Sequence, residues 1–228
     1  MSDTPTHVGF IVDGNRRWAR EHGLPAYEGH MAGYNAVQDV LIETLEQDVS
    51  YVSAYVFSTE NWKRSEEEVG RLMGLVLKIF TADLHILQEK NIRLRVLGRL
   101  DGVSEKVCKA IAEAEDATKE NIGGTLALCF NYGGQAEIAD AVKKIIEAGV
   151  PASDVTPELI AGYLYAPDIP PCDLIVRTSG EQRLSNFMLW RSAYSELLFI
   201  EKNWPDMTKQ DVIDILKAYK LRGRRFGG

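Results

Sequence analysis

Residues 8–18 read VGFIVDGNRRW, and this stretch predicts the first unit of the fold. The apolar run 8–12 has the length and content of a buried strand. It stops at Asp13, Gly14 and Asn15, residue types that favour turns and helix starts, and a helical stretch follows. The stretch therefore predicts a strand, a turn and a helix in succession.

The same alternation of short apolar runs and longer amphipathic segments continues through the chain. Further strands are predicted at 51–57, 92–97, 125–130, 173–176 and 197–200. Helices are predicted at 29–47, 65–90, 104–120, 135–148 and 208–221, with a short helix beginning at Thr156 and Pro157. Strands joined by crossover helices indicate an α/β fold, with a mainly parallel six-stranded sheet flanked by helices. The length of 228 residues fits a single domain over 1–228.

The composition argues against several classes of protein. Lys and Arg number 26 against 33 Asp and Glu, so the net charge of −7 disfavours nucleic acid as a partner. The three cysteines form no C-x-x-C pair, which favours reduced thiols and a cytoplasmic protein without a zinc site. We expect neither a signal peptide nor a membrane span, because the apolar runs are too short.

The predicted helix over 65–90 carries two apolar faces. Positions 69, 72, 73, 76, 80, 84 and 87 follow one stripe, and Leu75, Ile79 and Ile86 lie on another. A helix with two such faces buries both. The second face fits either a dimer interface or an internal cavity, and the pattern alone favours the dimer interface.

Polar residues follow most of the predicted strands, at the edge of a parallel sheet where ligands bind. Those after the first strand are Asp13, Gly14, Asn15, Arg16, Arg17 and Trp18; those after the second include Ser58, Thr59, Glu60, Asn61, Trp62 and Arg64; those after the fifth include Arg177, Arg183, Leu184 and Ser185. Arginine forks suit phosphate oxygens. Because Asp13 would repel a bare diphosphate, we expect a divalent cation such as Mg²⁺ between the two.

Each of these residues also has a plainer interpretation. Asp13 fits a helix N-cap, and Arg177 and Arg183 fit surface ion pairs with the excess of acidic residues. Glu181 fits a partner for a neighbouring arginine, and His30 fits a structural hydrogen bonder. Generic nucleotide and hydrolase motifs are absent from the sequence. The cluster is therefore a stronger indication of an anion site than any single member.

In this order the motifs resemble the cis-prenyltransferase family, isoprenyl diphosphate synthases whose bacterial type is undecaprenyl diphosphate synthase. The resemblance rests on segments 7–18, 29–30, 57–62, 131–134, 177–187, 193–197, 204–206 and 224–228. It implies a homodimeric enzyme with an apolar tunnel that condenses isopentenyl diphosphate with an allylic diphosphate, farnesyl or geranyl diphosphate. The reaction it implies is Mg²⁺-dependent and gives a Z-polyprenyl diphosphate of short to medium length. It also implies transient contact with a membrane surface for product release.

The resemblance further implies a role for each site residue. Asp13 would hold Mg²⁺ and help the allylic diphosphate leave, with Glu196 as a second metal carboxylate. Asn61 would assist proton removal. The implied substrate-binding residues are Gly14, Asn15, Arg16, Arg17, Trp18, His30, Ser58, Thr59, Glu60, Trp62, Arg64, Arg177, Arg183, Leu184, Ser185, Arg225 and Gly227.

Three positions bear on how far the resemblance extends. Ala26 stands where the family commonly has arginine, Arg16 where glycine is frequent, and Ser65 where the loop usually has proline. Val56 lies along the implied tunnel where a smaller residue is common, which favours a shorter product. A non-catalytic subunit of the same fold is the alternative, although such a chain would be expected to have lost Asp13 or the arginine pair. An unrelated phosphate-binding module is a third hypothesis.

Overall fold

The computed structural model describes residues 4–222, and it contains one sheet with helices on both faces. The strands are His7–Ile11 (β1), Tyr51–Ser58 (β2), Arg93–Leu97 (β3), Thr125–Tyr132 (β4), Leu174–Arg177 (β5) and Glu196–Phe199 (β6). The helices are Asn15–Glu21 (α1), Ala26–Glu46 (α2), Glu66–Phe80 (α3), Leu84–Glu89 (α4), Glu105–Thr118 (α5), Gly134–Glu147 (α6), Pro157–Tyr163 (α7) and Lys209–Lys220 (α8). Short 3₁₀ helices lie at Thr59–Lys63, Ala152–Asp154 and Trp204–Asp206.

The six strands lie in the order β3-β4-β2-β1-β5-β6, and every neighbouring pair is parallel. The predicted α/β class and six-stranded sheet are confirmed. At the centre of the sheet, Phe10 of β1 lies beside Ala54 of β2, and Ile11 of β1 lies beside Arg177 of β5. The carboxyl ends of β1, β2 and β5 therefore meet at one edge, and the segments that follow them are brought together there.

Alternate side chains of each central strand pack into different core clusters, as the pleat requires. One cluster contains Phe10, Val176 and apolar residues of α2, α3, α4, α5 and α8. The other contains Ile11, Ile175 and Phe187. The sheet is thus buried on both faces, which explains why its strands appear in the sequence as nearly continuous apolar runs.

The predicted single helix over 65–90 is wrong. It consists of two helices, α3 and α4, with a break at 81–83. Thr81 donates its hydroxyl proton to Leu77 O at 2.8 Å, and Asp83 hydrogen-bonds with Tyr34 on α2. A local side-chain bond and a distant partner therefore end the helix where the apolar pattern continues.

Candidate active site

The plainer interpretation of Asp13 as the N-cap of α1 is wrong. Gly14 occupies that position with a φ of 104°, and no side chain caps the helix. Asp13 Oδ1 accepts a hydrogen bond from the Gly14 N–H at 2.8 Å, and Asp13 Oδ2 lies 2.8 Å from Arg177 Nη2. A side chain at Gly14 would meet Asn203 Oδ1 at 2.6 Å, so only glycine fits this turn. The turn presents the carboxylate towards the carboxyl ends of β1 and β5.

Arg177 connects this carboxylate to the loop that follows β5. Its side chain is almost fully buried, and Nη1 donates to Ser185 Oγ at 2.8 Å and to the carbonyl of Arg183. The loop backbone is unusual, because Ser179, Ser185 and Asn186 have φ values of 75°, 48° and 67°. Non-glycine residues rarely adopt this conformation and concentrate at functional sites.

Arg17 and Arg183 are joined by one carboxylate. Arg17 Nη2 lies 3.0 Å from Glu181 Oε1, and Arg183 Nη1 lies 2.5 Å from Glu181 Oε2. These two guanidinium groups lower the pKa of Glu181. The interpretation of Glu181 as an arginine partner is correct, and its contact places residues of α1 and the β5 loop side by side.

His30 lies at the same edge because α2 approaches α1 closely. A Cβ at Gly29 would lie 2.0 Å from Asn15 O, so the glycine permits the approach. His30 Nε2 lies 3.3 Å from Glu68 Oε1, and Arg64 Nη1 lies 3.0 Å from the same oxygen. Burial lowers the pKa of His30 and outweighs the hydrogen bond to Glu68, so the ring is neutral at neutral pH.

Glu68 is a residue that the sequence analysis did not identify. Burial raises its pKa, but the Arg64 charge and the hydrogen bond from His30 prevail, and the pKa is below its ordinary value. In the sequence Glu68 belongs to an acidic run that is typical of a first helical turn, and it does complete the cap, with its N–H donating to Ser65 Oγ at 3.3 Å. Its contact with His30 spans 38 positions and leaves no local signal.

The residues after β2 fall into two groups: some line a cavity, and others bond to neighbouring segments. Asn61 Oδ1 accepts from the Ser58 N–H at 3.0 Å, and Asn61 lines a cavity together with Arg64. Trp62 donates instead to Asn131 Oδ1 at 2.8 Å, and Glu60 Oε1 accepts from Asn186 Nδ2 at 3.2 Å. These contacts link the segment after β2 to β4 and to the segment after β5.

The cavity has a volume of about 610 Å³, and its lining is partly polar and partly apolar. Its polar lining includes Asp13, Asn15, Arg16, Arg17, Arg20, His30, Asn61, Arg64 and Ser179. Its apolar lining includes Val12, Val37, Val56, Leu72, Leu75, Val76 and Ile79. Leu75 and Ile79 belong to the second apolar face of the predicted 65–90 helix, which here borders a cavity. Arg20, one turn after Arg16 on α1, is a further rim residue that the sequence analysis missed.

Several predicted site residues lie away from this cavity. Trp18 lines an outer groove and donates to Asp206 Oδ1 at 2.7 Å, and Leu184 packs against the core cluster that contains Phe187. Glu196 begins β6, beside Leu174 and at the opposite end of the strands from Asp13, and it pairs with Arg222 at 3.1 Å. One chain therefore does not bring the two predicted metal carboxylates together. The predicted residues Arg225 and Gly227 lie outside the described residues.

This constellation can bind phosphate groups at its rim and an apolar group behind them. The family model for undecaprenyl diphosphate synthases matches residues 11–227. An isoprenyl transferase of Thermotoga maritima is 47% identical over 226 residues, covering 98% of this chain and 97% of that relative. The chain belongs to the cis-prenyltransferase family.

Other family members are similar in sequence and in structure. A trans,polycis-polyprenyl diphosphate synthase of Thermobifida fusca, named as (2Z,6E)-farnesyl diphosphate specific, is 46% identical over 228 residues, with 98% of this chain and 81% of the relative covered. The crystal structure of lavandulyl diphosphate synthase from Lavandula x intermedia, in complex with dimethylallyl diphosphate, has a TM-score of 0.95 at 31% identity and covers 99% of both chains. Like its relatives, this cis-prenyltransferase is a transferase that elongates prenyl chains.

Among residues 4–222, no helix has both the length and the apolar character that crossing a bilayer requires.

Proposed function

We propose that this cis-prenyltransferase condenses isopentenyl diphosphate with farnesyl or geranyl diphosphate and makes a Z-polyprenyl diphosphate of short to medium length. The observation that carries the proposal is the cavity in which the polar rim at Asp13 opens onto the apolar side chains of Val56 and Leu75. A molecule with a charged head and a hydrocarbon tail matches both parts. Burial of the tail removes apolar surface from water, which favours binding by roughly 25 cal/mol for each Å² of apolar surface buried.

The allylic diphosphate would lie on the α1 side of the rim. Arg16, Arg17 and His30 line the cavity there, and the first turn of α1 at 15–17 adds backbone N–H groups. Isopentenyl diphosphate would lie at Arg177, Arg183 and Ser185, where Arg177 donates to Ser185 Oγ and to the Arg183 carbonyl. In the reaction the allylic C–O bond breaks, a C–C bond forms to the isopentenyl group, and that group loses a proton. Diphosphate is the leaving group, so preorganised guanidinium groups stabilise the charge that develops on it.

Asn61 lines the same cavity as Asp13, Arg16 and His30. An amide is a hydrogen-bonding group and not a base at neutral pH. Since Asn61 Oδ1 already accepts from the Ser58 backbone, its Nδ2 protons are the donors that it can offer to a substrate. We propose that Asn61 orients the substrate oxygen that receives the proton from the isopentenyl group.

The donor set at Asp13 fits Mg²⁺. This cation is typically held by one or two carboxylates together with substrate phosphates, and Asp13 is a half-exposed carboxylate among cationic side chains. Bound there, Mg²⁺ would neutralise charge on the departing diphosphate. The metal role of Glu196 stays a prediction.

A homodimer is part of the proposal. β6 is an edge strand, and Leu197 on it, the preceding Tyr194 and the nearby Leu221 are exposed apolar or aromatic side chains. Arg222 donates to Leu197 O at 2.9 Å, so the residues that follow α8 lie against this edge up to Arg222. A partner covering the edge would bury these side chains. Cytoplasmic location and transient membrane contact stay predictions.

The proposal is tested with purified protein, Mg²⁺, labelled isopentenyl diphosphate and geranyl or farnesyl diphosphate in separate reactions. We expect a labelled lipid that extracts into organic solvent and depends on the allylic diphosphate. Elongation of neither primer would contradict the enzymatic proposal and favour the alternative of a non-catalytic subunit. The ion pair of Asp13 with Arg177 argues against that alternative, because the described site retains the groups that catalysis needs.

A further inference from the structure

An aromatic side chain lies between the active-site cavity and a second cavity. Tyr34 on α2 is buried and lines the 610 Å³ cavity, and it also lines a second cavity of about 30 Å³. Val37 and Ile79 border both spaces as well. The second cavity is otherwise enclosed mainly by Leu41, Ile42, Ile86, Leu87 and Leu126. Tyr34 therefore separates a large cavity from a small one that continues between α2 and α4.

Contacts at the hydroxyl and on the ring face hold the tyrosine in this position. The Tyr34 hydroxyl donates a hydrogen bond to Asp83 Oδ2, and the Lys78 ammonium lies 4.5 Å from the centroid of the ring. Asp83 is the N-cap residue of α4, but its side chain does not cap that helix. The break between α3 and α4 thus provides a carboxylate for Tyr34, and α4 begins without a side-chain cap.

These contacts make the ring costly to displace. A hydrogen bond to an ionised carboxylate is stronger than a neutral one, and a cation over an aromatic face adds to it. Burial and the Asp83 charge raise the pKa of the Tyr34 hydroxyl, so it remains a neutral donor throughout the physiological range. Turning the ring aside would break the bond to Asp83 and leave a partly buried carboxylate without this partner.

We propose that Tyr34, held by Asp83 and Lys78, is the end wall that limits the length of the polyprenyl tail. This inference rests on the proposed function. A tail that grows from the Asp13 rim advances along Val56, Leu75 and Ile79 until it meets the tyrosine. Beyond it the walls are mainly apolar, with Gln38 and Asp83 as the polar members, but the volume is small, so another isoprene unit enters only if Tyr34 moves. The residue therefore determines specificity through the geometry of the cavity, without taking part in the chemical steps.

Removing the ring joins the two cavities. We expect Tyr34→Ala to shift the main product by at least one isoprene unit, measured by mass spectrometry at a fixed ratio of substrates. Tyr34→Phe keeps the ring and loses the bond to Asp83, so it should give a smaller shift towards longer products. Tyr34→Leu is a second truncation that keeps apolar packing in case the alanine variant does not fold.

Tyr27→Ala is the matched control. Tyr27 lies on the same helix and also has a cation near its ring, with Arg71 Cζ 5.0 Å from the centroid, but it lines an outer groove. The Tyr27→Ala variant should make products of the same length as the parent protein. Unchanged product length in the active Tyr34→Ala and Tyr34→Leu variants would overturn the end-wall assignment.

A binding experiment separates this inference from the proposed function. Without isopentenyl diphosphate, we compare the affinities of geranyl and geranylgeranyl diphosphate by calorimetry. Tyr34→Ala or Tyr34→Leu should improve the affinity for the longer tail relative to the shorter one by about tenfold, and Tyr27→Ala should leave the ratio unchanged. If the parent protein elongates no primer, the proposed function fails and this ratio still decides the inference. An unchanged ratio in both Tyr34 variants would overturn it.

Discussion

Asp13 Oδ2 and Arg177 Nη2 lie 2.8 Å apart, and this ion pair connects the carboxyl end of β1 to the carboxyl end of β5. The two partners differ in environment, since the Asp13 side chain is 39% exposed and the Arg177 side chain only 4%. The arginine is therefore a fixed, buried cation, and the carboxylate keeps an open side towards the cavity. A cation or phosphate that enters the site meets a carboxylate whose orientation is already set.

Asp13→Asn should abolish most of the activity while preserving the fold. The amide keeps the shape of the side chain but removes the charge that would hold Mg²⁺ and orient Arg177. We expect kcat to fall by about 10² to 10³-fold or more, the range for losing a preorganised electrostatic group. Steady-state turnover and a thermal melt measure the two effects. Asp168→Asn, which alters a surface pair with Arg95, is the control, and equal activities of the two variants would remove Asp13 from catalysis.

Arg177→Lys tests whether geometry or charge matters at the second diphosphate position. Arginine reaches Asp13, Ser185 and the Arg183 carbonyl simultaneously, whereas lysine is a single point charge on a flexible stem. We expect kcat/KM for isopentenyl diphosphate to fall at least about tenfold, which corresponds to about 1.4 kcal/mol. Arg95→Lys provides the same change in a surface ion pair. Parent-like kinetics in Arg177→Lys would show that charge alone is sufficient.

The sequence predicts the sheet well because its information is local. Each strand is an apolar run of ordinary length, and the parallel order follows from the intervening helices. The residues after β1 and β5 are also predicted to lie together, since the carboxyl ends of parallel strands share an edge. On this basis the sequence predicts that Asp13 and Arg177, 164 positions apart, lie at one rim.

Features that depend on distant partners are not predictable in this way. The break at 81–83 interrupts a continuous apolar stripe with neither glycine nor proline, and Asp83 contacts Tyr34, 49 positions away. Glu68 meets His30 across α2 and α3 and is locally an ordinary first-turn acid. Glu196 sits in a recognisable motif, but the register of β6 places it away from Asp13. Register and helix packing decide these cases.

Stability should decline in acid because of His7. Its Nδ1 lies 2.8 Å from Pro170 O and its Nε2 lies 2.7 Å from Ser53 Oγ, so Nδ1 carries the proton and Nε2 accepts from the hydroxyl. Burial lowers the pKa of His7 to about 4, whereas the unfolded chain has the ordinary value near 6.5. Below pH 6.5 the unfolded state binds the proton first, so the free energy of unfolding falls as the pH drops towards 4.

The expected loss is about 3 kcal/mol over this interval. Urea denaturation at a series of pH values measures it, and His7→Gln should flatten the pH dependence. Carboxylates that titrate in the same range contribute equally to both proteins, so the difference between the two curves isolates His7. His22→Gln, at an exposed histidine, should retain the parent slope, and a parent slope in His7→Gln would contradict the assignment.

Arg191→Met should destabilise the protein strongly, because Arg191 and Glu137 form a buried ion pair. Their Nη1 and Oε1 atoms lie 2.6 Å apart, and both side chains are almost inaccessible to water. Glu137 also accepts from the Tyr132 hydroxyl at 2.5 Å, and Arg191 Nη2 donates to Tyr165 O at 2.6 Å. Losing the arginine leaves a buried carboxylate without its cation, which costs about 3–5 kcal/mol.

Urea denaturation of Arg191→Met measures this cost. Arg71→Met, which breaks the exposed pair with Glu67, should change the free energy of unfolding by no more than about 1 kcal/mol. Arg191 also holds the carbonyls of Ala166 and Ile169, so loss of the arginine should loosen the segment between α7 and β5 and speed hydrogen exchange there. Equal effects of the two arginine variants would mean that Glu137 becomes solvated or protonated at little cost, and that the pair serves a purpose other than stability.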